Sequence, residues 1–132
     1  MKEITIITQA KHMRTAQQLF ETSVACLRTQ GQKSFIGDMD NYSCRYRGSD
    51  DCKCAVGCLI MDREYHEKME GLLVHELITS GLLTVERRDE FHKHQALLSN
   101  LQHIHDNKPI LTWEKQWSML AEDHYLTLPS NP

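Results

Sequence analysis

Residues 85–105, VERRDEFHKHQALLSNLQHIH, carry the clearest period in the chain and set its class. Phe91, Leu98, Leu101 and His105 fall on one stripe, and Leu97 and Ile104 widen it, which is the three-to-four spacing of a helix that buries one face. The spacing predicts one helix over 85–105, with Pro109 forcing a break beyond it. Downstream, Thr112 suits an N-cap and Glu114 a first helical turn, so a last helix should present Trp113, Trp117, Leu120 and Ala121 on one side. Upstream, residues 62–81 read as a turn and then a helix carrying Leu72, Leu73, Leu77 and Ile78, closed by Gly81. Residues 10–30 read as an amphipathic helix on Met13, Ala16, Leu19, Phe20, Val24 and Leu27, capped by Gly31.

Between these helices the period changes. Around Tyr42, Cys44 and Tyr46 the pattern alternates before a Gly-Ser-Asp-Asp turn, as a short strand or hairpin does. Residues 54–61, CAVGCLIM, are too short for period alone to choose; helix is favoured, with Asp50 or Asp51 near its start. The expected fold is α+β, a predominantly helical single domain over 1–132 with a small β-hairpin or short sheet around residues 41–54. Residues 1–9 would be a short strand or mobile arm, and 128–132 a disordered tail.

A chain of 132 residues, 40% hydrophobic and 25% charged, has the size and composition to fold around one core without metal or disulfide as an obligatory staple. Net charge is −3 and the basic residues are scattered, so nucleic acid is not an expected partner. The N-terminal MKEITIITQAKHMR has too short an apolar run for a signal-peptide core, and no later run approaches membrane-spanning length. A cytoplasmic location with no membrane partner follows as the expectation. There the five cysteines, Cys26, Cys44, Cys52, Cys54 and Cys58, should be reduced, and their odd number argues against a complete disulfide framework.

Four of them crowd into CRYRGSDDCKCAVGC, residues 44–58, and three readings stay open. Zinc is one: thiolates bind it tightly, and Cys44, Cys54 and Cys58 with His105 would complete a tetrahedron, although C-x7-C-x-C-x3-C lacks the paired C-x2-C knuckles of a strong zinc signature. A thiol enzyme is another, a hydrolase or transferase with Cys54 at a helix N-terminus as nucleophile, His105 as base and Asp106 as orienting carboxylate. Adjacent residues on a helix do not face one another, which counts against the His105–Asp106 pair. The reading the residues favour is that Cys54 and Cys58, four apart, are small apolar core residues beside Gly57.

Arg45 and Arg47 would share a face of a strand and could grip a phosphate or carboxylate; solvation is the simpler reading. His92, His94 and His103 read as surface residues, with His105 the exception, and the two tryptophans as core.

Taken together, CRYRG, KCAVGCLI-x-D-x-x-Y and L-x-x-LQ-x-x-HDN with a Trp-bearing final helix resemble a family of short uncharacterised proteins of bacteria and tailed phages. More distantly the chain is similar to actinobacterial proteins with a Cys-x-x-Gly-Ala-Leu segment and a later Asn-Asp. The resemblance spans roughly residues 20–125 and falls on Cys44, Tyr46, Arg47, Gly48, Cys54, Gly57, Cys58, His105 and Asp106; Cys52 is extra to the pattern, and Met61 stands where proline is usual. It implies a phage-associated binding or regulatory protein in a bacterial host cell, without an established activity. The expected ligand-binding residues are Arg45, Tyr46, Arg47 and Gly48, holding a small anionic ligand or a host protein, for instance as a host-defence inhibitor; homo-oligomerisation stays open.

Overall fold

The structure is a computed structural model that describes residues 13–37 and 42–131. The expectation for residues 1–9 lies outside the described residues. Helix α1, Ala16–Gln30, begins at Thr15, whose hydroxyl accepts from the Gln18 amide while the Gln18 side chain accepts from Thr15 N–H. This reciprocal capping box satisfies two otherwise orphaned donors. The helix ends on Gly31 at φ 70°, a left-handed conformation that glycine adopts without strain. Leu19, Phe20, Val24 and Leu27 are its buried face, as the period predicts.

Strands β1, Phe35–Gly37, and β2, Tyr42–Cys44, pair antiparallel with Phe35 opposite Cys44, and an isolated bridge joins Arg47 to Lys53. The small β element therefore starts upstream of the 41–54 expected for it. It sits on a helical domain, α2 at Val74–Thr79, α3 at Val85–Lys93, α4 at Gln95–Asn107 and α5 at Trp113–Asp123. Helix α4 is the hub, packing against α1, α2, α3 and α5. Its buried residues Leu97, Leu98, Leu101, Ile104 and His105 supply the centre of the core.

The structure departs from expectation in the helices as well. The helix expected over 85–105 is two helices, broken at His94, whose φ of −115° and ψ of 27° leave the helical region. CAVGCLIM is not an α-helix: one turn, Cys58 N–H to the Cys54 carbonyl at 2.9 Å, passes into a 3-10 turn at Gly57–Leu59 and then extends at Ile60. Arg47 accounts for this, because its guanidinium takes the Gly57 carbonyl at 2.8 Å and the Ile60 carbonyl at 2.7 Å, acceptors a continuing helix would need. Helix α2 starts only after Gly71, at φ 82°, leaving Leu73 at the N-cap and 62% exposed rather than on the buried face. Thr112 does not cap α5 with its side chain; its hydroxyl donates to the Pro109 carbonyl at 2.8 Å. Beyond α5, Leu126 and Leu128 lie against the core, and Thr127 N–H donates to Gln17 Oε1 on α1 at 2.9 Å.

Cys26 and Cys58 form a disulfide that ties α1 to the Gly57–Leu59 turn, Cα–Cα 6.2 Å. This corrects the expectation that every cysteine is reduced. Among the described residues no helix is long and apolar enough to cross a membrane.

A buried charge network fixes α3. The Glu90 carboxylate, with no solvent exposure, accepts from Arg14 Nη2 at 2.8 Å and from the Arg14 backbone N–H at 2.7 Å, and pairs with Arg87, which also reaches Glu64. Burial works to raise the Glu90 pKa, but hydrogen bonds from the two arginines outweigh it and hold the carboxyl below its ordinary range.

Candidate functional site

The hairpin delivers Cys44 to the C-terminal end of α4. Ser34, just before β1, is the joint: its carbonyl accepts from Arg45 N–H at 3.1 Å, extending the ladder past β2, and its own N–H donates to His105 Nε2 at 3.0 Å. Because Nε2 accepts, the neutral His105 ring carries its proton on Nδ1. That proton goes to Asp106 Oδ1, 2.8 Å away. Sequence neighbours on a helix thus do meet here, contrary to the expectation, because the buried ring is pinned from its far side by Ser34. Gln102, one turn earlier, donates to the same Oδ1 at 2.9 Å and accepts from Val56 N–H at 3.0 Å. Two N–H donors thus hold Oδ1, and the neighbouring Cys44 thiol also hydrogen-bonds the Asp106 carboxylate. The sulfur of Cys44, a ring nitrogen of His105 and an oxygen of Asp106 lie within 4.8 Å of one another.

Cys44 and Asp106 of this cluster line a cleft of about 420 Å³. Leu72, Leu73, Val74 and His75 line it from the start of α2, Ser99, Gln102, His103 and Asn107 from α4, and Arg45 from the hairpin. Arg45 Nε donates to the Arg47 carbonyl at 3.0 Å, its guanidinium also meets the Tyr65 hydroxyl, Nη2 stands 3.8 Å from Glu70, and a quarter of the side chain, 26%, is exposed.

Of the other three expected ligand-binding residues, Tyr46 also lines the cleft, and all three are packed or bonded within the protein. Arg47 donates to the Tyr46, Gly57 and Ile60 carbonyls, meets Asp62 at 3.2 Å and lies over the Tyr65 ring. Tyr46 is buried and its hydroxyl donates to the Leu72 carbonyl at 2.6 Å. Gly48 is packed so closely that a Cβ would stand 2.6 Å from Phe35 N. Glu70 secures this loop, accepting from Tyr46 N–H, Arg47 N–H and the Tyr65 hydroxyl within 3.0 Å.

The close cluster with His105 and Asp106 holds Cys44 rather than Cys54. Cys54 is 1% exposed and its sulfur accepts from Gly57 N–H at 3.3 Å. Burial pushes its thiol far above the usual range, and hydrogen bonds from the Gly57 N–H and the Gln102 side chain only partly oppose the shift. For Cys44, burial first and then the Asp106 charge push the thiol up to about 11. Both thiols are held protonated near neutral pH, the reverse of an activated nucleophile. The zinc set Cys44, Cys54, Cys58 and His105 is not assembled, since Cys58 is joined to Cys26, Cys54 is buried among core side chains, and both His105 nitrogens are engaged.

Ser34, Glu70 and Gln102 escape a reading of the sequence because their partners lie 71, 24 and 46 residues away and no motif marks them. No family model, no curated protein and no solved structure matches the chain.

Proposed function

We propose that the protein is a small-ligand binding module whose ligand lies in the Arg45–Asp106 cleft, an anionic group facing Arg45 and a hydrogen-bond donor facing Asp106. The carrying observation is the preparation of Asp106: a fully buried imidazole with both nitrogens committed, together with Gln102, orients one carboxylate at the wall of an open cleft. Buried polar networks of this kind are costly unless satisfied, and here the satisfied end is buried while the accepting end faces solvent. A carboxylate already held in its binding orientation loses little entropy when a ligand arrives. The apolar side chains of Leu72 and Val74 supply contact surface between the two charges.

A thermal-shift panel of small carboxylates and phosphate esters, each with and without an amino group, tests this. At least one anionic member should raise the melting temperature, Arg45→Ala should remove the shift while leaving the unliganded melting temperature nearly unchanged, and Asp106→Asn should cost most for amino-bearing members. A panel without any stabilising member, or a shift that survives Arg45→Ala, would overturn the reading. The thiol-enzyme alternative makes the opposite chemical demand. Site-resolved alkylation near neutral pH should find Cys44 and Cys54 slower than the same cysteines in the unfolded chain, whereas a nucleophile would be faster.

A further inference from the structure

We infer that the Cys26–Cys58 disulfide is a site of thiol–disulfide exchange that regulates the Arg45 end of the cleft: closed, the bridge holds Arg45 in place, and opened by a dithiol reductant it releases that end while Asp106 stays fixed. The regulated property, affinity for an anion, rests on the ligand reading of the cleft, whereas the linkage from bridge to Arg45 stands on its own.

The linkage begins at the turn that carries Cys58. A single turn is not stable by itself, so what it is tied to sets its place. Its Gly57 carbonyl accepts from Arg47 Nη1 at 2.8 Å, and its Gly57 backbone lies so close to the Tyr46 carbonyl that no Cβ fits between them. The Tyr46–Arg47 loop is thereby clamped between this turn and Glu70, which accepts from both its amides. Arg45 hangs on the same loop, its Nε donating to the Arg47 carbonyl at 3.0 Å. The bridge sits in the middle of the turn, between two other ties. On one side the Ala55–Val56 peptide is held twice: its carbonyl accepts from the buried Ser23 hydroxyl of α1 at 2.9 Å, and its N–H donates to Gln102 Oε1, whose amide holds Asp106. On the other side the Leu59 carbonyl accepts from Arg14 Nη2 at 2.7 Å. Opening the bridge leaves these ties in place and frees Gly57 and Cys58, the part that meets Arg47 and Tyr46.

The bridge is open to a reagent. Cys26 and Cys58 are each half-buried, and Cys26 lines an open cavity of about 570 Å³ together with Thr29, Gln32 and Cys52. A thiolate of the reductant attacks the Cys26 sulfur, forms a mixed disulfide there and expels Cys58 as a thiolate, which takes a proton from solvent. The second thiol of the reductant, as its thiolate, then attacks the mixed disulfide and frees Cys26, which is protonated in turn. Two electrons pass from the dithiol, which ends as a disulfide, to the bridge, which ends as two thiols. A disulfide oxidant runs the same steps backward.

Nitrogen–proton NMR spectra of the full-length protein, oxidised and then reduced with dithiothreitol well below its melting temperature, test the linkage. Reduction should shift or broaden the Tyr46 and Arg47 amides and the Arg45 Nε–H, leave the Gln102 side-chain amide and the Asp106 amide in place, and be mimicked by the Cys26→Ser/Cys58→Ser double variant without reductant. Changes confined to the sequence neighbours of Cys26 and Cys58 overturn the linkage. Changes at Gln102 and Asp106 as large as at Arg45 overturn its confinement to that end, and loss of dispersion throughout makes the bridge a staple of the whole fold and overturns the regulation. The panel of small carboxylates and phosphate esters separates the two proposals. A member that stabilises the oxidised protein should bind the reduced form about tenfold more weakly, the loss of one charge-assisted hydrogen bond. Equal binding to both forms overturns the regulation with the ligand reading intact, and a panel silent toward the oxidised protein overturns the ligand reading while the spectra still decide the linkage.

Discussion

Glu90 shows at the residue scale how much one buried carboxylate can hold. It has no exposure, while its partners Arg14 and Arg87 have side chains 25% and 8% exposed, so its removal takes a shared counter-charge from two guanidinium groups, leaving Arg14 the Leu59 carbonyl and Arg87 Glu64. Breaking such a pair from one side costs about 3–5 kcal/mol. Glu90→Gln is expected to lose stability of that order in urea unfolding, and an unchanged midpoint would contradict the network. The same group gives an acid dependence of known sign. Its folded pKa is lowered, so its contribution is present in full above the unfolded carboxyl value near pH 4.3 and fades as pH falls through the folded value. In Glu90→Gln that part of the acid-induced fall in melting temperature should disappear.

At the scale of elements, Gly57 and the Cys26–Cys58 bridge secure one turn from two sides. A Cβ at Gly57 would collide with the Tyr46 carbonyl, so Gly57→Ala must push the turn away from the loop that carries Cys44 and Arg45. A loss of about 1–3 kcal/mol is expected, as for other overpacked sites. Unchanged stability would mean that the loop gives way freely. Reducing the bridge, which spans 32 residues of sequence, should cost about 3–4 kcal/mol on loop-closure grounds, read as a lower melting temperature in reductant and reproduced by Cys26→Ser. Elements of this kind also mark where the sequence stops being legible. Helices α1 and α5 were readable because their buried faces are a local period, and α1 carries both of its caps within the same stretch. The turn at 54–60 was not, because Arg47, 10 and 13 residues upstream, takes the carbonyls that would have continued a helix. The break at His94 occurs in HKHQ, which holds neither glycine nor proline, so composition gave no warning. His105 and Asp106 could be nominated from sequence, but the identity of their thiol partner depends on Ser34, which joins the hairpin to α4 across 71 residues.

Across the whole molecule, α4 makes both the core and the cleft. One face buries Leu97, Leu98, Leu101 and Ile104, while Gln102, His103 and Asp106 line the opening. On its other side α5 brings both tryptophans of the chain, Trp113 and Trp117, into the core. Trp113 stacks on His105 with ring centroids 5.7 Å apart, one side chain away from the Asp106 carboxylate. Trp117 is also buried and meets the Trp113 ring at a centroid distance of 5.7 Å, and its Nε1 is a buried donor without a partner among the described residues. The protein therefore contains its own optical gauge. Occupancy of the cleft should alter tryptophan emission without any added label, and the response should survive Trp117→Phe and vanish in Trp113→Phe. Titrating intensity against ligand would turn that stacked pair into a direct measure of affinity.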